Sequence, residues 1–71
     1  MKYAVVIEKG PTSWGAYVPD LPGCVAVADT RDELETLIHE AIVFHIEGLR
    51  DGGDPVPPSV STVTFVEVPA A

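Results

Sequence analysis

This chain of 71 residues has one cysteine, Cys24, so no internal disulfide can staple it. No His/Cys group has zinc-ligand spacing, and no glycine-rich loop of the phosphate-cradling kind is present. No apolar run approaches the roughly 20 residues of a membrane span, and the N-terminus opens on a strand-like pattern rather than a signal peptide. The expectation is a reduced, cytoplasmic setting without membrane contact. Positive charge is scarce as well: Lys2, Lys9, Arg31 and Arg50 stand against eleven acids, a formal net charge of -7. Affinity for nucleic acid rests on Lys and Arg against phosphate, so direct binding to DNA or RNA is not expected. A basic protein partner suits the charge, because complementary fields speed encounter; acidity also serves plain solubility.

What is there is apolar: 46% of the residues are hydrophobic, too many for a disordered segment. The reading is one domain over residues 1–71. At this size a core supplies only about 3–5 kcal/mol unless something reinforces it. Without disulfide or metal, the remaining reinforcement is a partner or a second copy.

"MKYAVVIEKG" reads as a first strand, about 2–8, with Tyr3, Val5 and Ile7 on one face. "GPTS" is turn material and "WGAYV" a second strand, about 14–18, which Pro19 ends. "CVAVAD" gives a short third strand, about 24–28, with Val25 and Val27 on one face. Thr30 followed by Glu33 is a capping-box pattern, and Asp32, Glu33 and Glu35 crowd a first turn where the helix dipole favours negative charge. A helical period runs from about 31 to 51, with Leu34, Leu37, Ile38, Ala41, Ile42 and Leu49 on one broad face, and Gly52-Gly53 end it. After the stiff "PVPPS", "STVTFVEV" reads as a last strand, about 61–68.

The expected fold is therefore α+β: a β-β-β-α-β chain whose four-stranded mixed sheet has the order 3-2-1-4, with one helix on one face. A right-handed crossover would bring the last strand in parallel beside the first. The other face is left uncovered, and the last strand lacks lysine or internal proline to guard its edge. Both features point to self-association as a homodimer or higher homo-oligomer.

Few residues look chemical. Cys24 would need a base and an oxyanion site to be a nucleophile; the alternative is a small buried hydrophobe. His45 falls in the apolar arc of the helix and is read as a core or interface histidine, while His39 lies outside the arc. Their spacing of six prevents both from chelating one metal. Asp20 fits a turn-stabilising role and Gly23 a positive φ at the same corner. Trp14 is either hairpin packing or an interface anchor, a role in which Trp is enriched. No catalytic residue, metal or cofactor is assigned.

"KYAVVIEKG", "AYVPDLPGCVAVADT" and "FHIEGLRDGGDPVPPS" together resemble the N-terminal domain of the HicB-like antitoxin family, over Met1 to about Val68. The resemblance implies a partial ribonuclease-H-like fold; a fold likeness gives no ground to expect nuclease activity, and the carboxylate constellation which that chemistry needs is not visible in the sequence. It also implies an antitoxin that binds and neutralises a HicA-like toxin, a small basic ribonuclease that cleaves messenger RNA. The residues expected to contact that partner are Glu8, Trp14, Tyr17, Asp20, Leu21 and Glu67. Fuller members of the family carry a C-terminal DNA-binding module; this sequence ends at Ala71, so direct DNA binding is not expected. Two rivals stand beside this reading: an orphan self-associating structural or regulatory module, and a small hydrolase using Cys24 or His45.

Overall fold

Two prolines and a glycine make the tightest corner of the molecule. The computed structural model describes residues 1–70, and in it "VPDLPGC" forms two consecutive turns. The Leu21 N–H donates to the Val18 carbonyl at 3.1 Å and the Cys24 N–H to the Leu21 carbonyl at 3.0 Å. Pro19 and Pro22 each take the second position of a turn, where a fixed φ is already suitable. Gly23 follows Pro22 with φ 84°, which makes the second turn type II and requires a residue without Cβ. The Val18 N–H closes the loop onto the Cys24 carbonyl at 3.1 Å. The double turn drives Leu21 into the core, where it is fully buried.

The elements are β1 (Val6–Lys9), β2 (Trp14–Tyr17), β3 (Val25–Ala28) and α1 (Arg31–Asp51). The three strands form one antiparallel sheet in the order β1-β2-β3. Its register sets Val6 opposite Tyr17 and Tyr17 opposite Val25, and likewise Ile7 with Ala16 and Ala26. Side chains alternate across a strand, so Ile7, Ala16 and Ala26 share one face, and Val6, Tyr17 and Val25 the other.

Helix α1 starts as its sequence dictates. Thr30 sits in extended conformation, φ -126° and ψ 157°, and its side chain accepts from the Glu33 N–H at 3.2 Å, satisfying one of the orphan donors of the first turn. The helix ends in a Schellman arrangement: Gly53, at φ 72°, donates to Arg50 at 3.0 Å, and Asp54 donates to Leu49 at 2.8 Å. Leu34 and Ile38 are buried against Ala16, Val18, Leu21, Cys24 and Ala28, with Ala41, Ile42 and Ile46 packed around them. Leu37, expected on the buried face, is 41% exposed. The helix lies over β3 and β2, and its backbone does not approach β1.

The four-stranded mixed sheet of order 3-2-1-4 is corrected by the structure, which among the described residues has three strands, all antiparallel. Residues 61–68, expected as the fourth strand, adopt no regular secondary structure. Strand-forming composition does not suffice, because a strand exists only when its backbone groups meet a partner. Here the segment is held at its start and then leaves the body, so it never lies beside β1. The Cα radius of gyration is 14.2 Å, with extents of 51 × 27 × 16 Å, against about 11 Å for a compact chain of this length. The long axis exceeds the roughly 31 Å of α1 itself.

Candidate protein-binding surface

The face of the sheet turned away from α1 is made by alternation. Val6, Glu8, Gly15, Tyr17, Val25 and Val27 point to it because their pleat-mates Ile7, Ala16, Ala26 and Ala28 point into the core. Among the described residues nothing lies over it: Tyr17 is 43% exposed, Val25 62% and Val27 66%. The register sets Glu8 opposite Gly15, and Gly15 opposite Val27. Tyr17 stands one row away, between Val6 and Val25. An apolar strip with a carboxylate at its side is thus presented to solvent. The helix adds a further run of exposed acids, Asp32, Glu33, Glu35, Glu40, Glu47 and Asp51. Of these, Glu35 is partnered in cis, with Arg31 Nε 3.5 Å away.

The six residues singled out from the sequence as partner contacts are not gathered at one place. Glu8 and Tyr17 share the open face. Trp14 is half-buried on the opposite face, packed against the core, with the Lys9 ammonium 5.7 Å from its ring centroid. Leu21 is fully buried, so its side chain holds the corner from inside. Glu67 is exposed on the C-terminal segment. Val25 and Val27 belong to the open face and were absent from that set, although their alternation in "CVAVAD" marks them.

Asp20 acts over a distance that turn chemistry does not suggest. One carboxylate oxygen accepts from the Val60 N–H at 2.9 Å and the Ser61 N–H at 2.8 Å; the other accepts from the Ser61 hydroxyl at 2.7 Å. The backbone donor of Ser61, helped by its hydroxyl and by Val60, holds the Asp20 carboxyl below its ordinary 3.8. The local bond expected from turn propensity is replaced by a clamp across 40 positions of sequence. The Tyr3 hydroxyl donates to the Pro57 carbonyl, so residues 57–61 are pinned at two points near the start of β1.

Cys24 is buried, and burial pushes its thiol above the ordinary 9.0. A thiol in that state is not the nucleophilic form at neutral pH. His39 is exposed and His45 half-buried on α1. Of the two, His39 borders a groove of about 600 Å³ between β1 and the helix. Among the described residues no group of three or more His, Cys, Asp and Glu could hold a metal ion, and no helix is long and apolar enough to cross a membrane.

Comparison with known proteins adds identity to this geometry. A family model described as "HicB_like antitoxin of bacterial toxin-antitoxin system" matches residues 3–70. An uncharacterised 14.9 kDa protein from the rep-hol intergenic region of Haemophilus phage HP1 is 36% identical over 69 residues, covering 97% of this chain and 52% of its own length. Antitoxin HicB 2 of Photorhabdus laumondii is 36% identical over 76 residues, covering 100% of this chain and 52% of its own. The chain thus spans about half the length of these two relatives. Among solved structures, a chain of the HicA3 and HicB3 toxin-antitoxin complex superposes with a TM-score of 0.72 at 32% identity, covering 83% of this chain and 70% of that one.

Proposed function

The chain belongs to the HicB-like antitoxin family, and from that premise we propose that it is an antitoxin module that binds and neutralises a small basic HicA-type toxin, one that cleaves messenger RNA, by protein–protein contact. The observation that carries the reading is the uncovered sheet face, where Tyr17, Val25 and Val27 stand exposed beside Glu8. Exposed apolar side chains grouped on one surface and edged by charge are the usual mark of a protein interface. The net charge of -7 supplies long-range attraction to a basic partner and repels RNA from the same surface. The likeness to a chain solved within a toxin-antitoxin complex supports the choice of partner.

In this reading neutralisation is occlusion. The toxin seats on the strip of Val6, Tyr17, Val25 and Val27, Glu8 pairs with a toxin cation at its side, and the RNA path is blocked without any catalytic step. Asp20 and Leu21 contribute by fixing the "VPDLPGC" corner next to Tyr17. Trp14 stiffens β2 from behind, and Glu67 adds charge at the margin of the contact.

The test is cleavage of a reporter RNA by a HicA-type toxin, with and without an equimolar amount of this chain. The expected result is loss of cleavage, restored when Val25 and Val27 are both replaced by Asp. Both sites are mostly exposed, so the double variant should keep its fold to within roughly 1 kcal/mol, which circular dichroism checks. Unimpeded cleavage in the presence of the unmodified chain contradicts the proposal.

A further inference from the structure

A second surface is independent of the toxin reading. Because α1 sits over β2 and β3, it leaves the core side of β1 open as a groove of about 600 Å³, lined by Tyr3, Val5, Ile7, Ile38, Ile42 and Ile46. Beside the groove runs the free edge of β1, the terminal strand of the sheet. An edge strand offers a row of unpaired N–H and C=O groups to any extended segment. An occupant that fits both features is an extended strand carrying large apolar side chains on one face.

The chain itself carries such a segment. Residues 62–70 take part in none of the backbone hydrogen bonds among the described residues. Val63 is 55% exposed, Phe65 94%, Val66 77% and Val68 79%. "TVTFVEV" is β-branched and aromatic, the composition that favours strands. Extended, residues 62–68 span about 23 Å, the reach of the seven residues from Tyr3 to Lys9 at the same rise. Charge agrees: of the two lysines of this acidic chain, Lys9 ends β1 and Lys2 lies four residues before it, and the segment carries one charge, Glu67. The clamps Asp20–Val60/Ser61 and Tyr3–Pro57 fix where it starts, and from there it leads away from its own body.

We propose that residues 62–68 of one copy add to the β1 edge of a second copy, with Val63 and Phe65 entering its Tyr3–Ile7–Ile42 groove, and that the exchange is reciprocal. A two-fold arrangement of this kind uses the same two surfaces on both chains and closes on itself. It removes the exposed edge and the exposed Phe65 in one step. It is an intermolecular pairing, and the strand order within each chain is unchanged.

The test uses the full chain. Sedimentation velocity from 1 to 100 µM should show twice the chain mass. A refolded equal mixture of ¹³C-labelled and unlabelled chain should give isotope-filtered contacts from Val63 and Phe65 to Val5, Ile7 and Ile42 between molecules. Phe65→Asp should weaken dimerisation at least tenfold, and Phe65→Leu should largely retain it; because Phe65 is solvent-exposed, neither should change the circular dichroism of the body. A monomer at every concentration overturns the proposal, as does a segment folded onto its own β1. So does a dimer without contacts between this segment and β1, or one indifferent to Phe65→Asp.

Discussion

Two glycine-to-alanine changes should move stability in opposite directions, and the difference follows from backbone angles alone. Gly23 has φ 84°, and a Cβ built there meets nothing within 4 Å. Gly48 lies inside α1 and its Cβ would also meet nothing within 4 Å. Packing therefore cancels from the comparison. At Gly23 the left-handed conformation costs alanine about 1–2 kcal/mol. The stiffer unfolded chain returns about 0.4–1 kcal/mol, so Gly23→Ala should destabilise by about 1 kcal/mol. At Gly48 the conformation is ordinary helix, and alanine gains about 0.5–1 kcal/mol. The assay is urea unfolding followed by helix signal, at one fixed protein concentration so that association does not enter the comparison. With a slope near 1 kcal/mol/M for so small a domain, the two midpoints should separate by about 1.5–2 M, with the parent between them. A Gly23→Ala variant as stable as the parent would refute the type II turn at Pro22-Gly23, and with it the account of how Leu21 and Asp20 are placed.

Other consequences are as direct. Leu21→Ala removes a fully buried side chain and should cost about 2–5 kcal/mol, comparable to the whole stability of a lone domain of this size; circular dichroism at 25 °C should show substantial loss of structure. Thr30→Ala deletes the cap that accepts from Glu33 and should cost about 1 kcal/mol, read as a lower urea midpoint with an unchanged slope. The Asp20 carboxyl is held below 3.8 in the fold, so its contribution is complete above that pH and is lost as pH falls through the lower folded value. Hydrogen exchange at Val60 and Ser61, corrected for intrinsic rates, should therefore accelerate on acidification below pH 3.8. In Asp20→Asn it should be faster at neutral pH and lose that acid step.

Much of this architecture is local in origin, and that part is legible in the sequence. Thr30 and Glu33 announce the helix start, Gly53 its end, and Gly23 after Pro22 the corner, because caps and turns are decided within four residues of chain. The hairpin and the alternation of β3 are legible for the same reason. The rotation of α1 about its axis is less so: the apolar arc includes Leu37, but the buried ridge runs through Leu34 and Ile38, and Ile46 packs where the arc had not placed it. A broad arc leaves tens of degrees of freedom, which only the β2–β3 surface removes. Residues 61–68 show the limit most clearly. Their pattern states that they can be a strand, while pairing depends on where Asp20 and Tyr3 hold the preceding residues, contacts 40 and 54 positions apart. Trp14 and Leu21 illustrate the same point for the site: a large side chain near a turn serves equally as anchor or as core, and only the strand register for Trp14 and the double turn for Leu21 assign them to the core side.

The measurement closest to the central claim is a chemical-shift map of the ¹⁵N-labelled chain titrated with a HicA-type toxin. Changes should concentrate at Val6, Glu8, Tyr17, Val25 and Val27 and saturate at a fixed stoichiometry. Saturable binding that leaves those five amides unmoved, or no binding at micromolar concentration, would contradict the account.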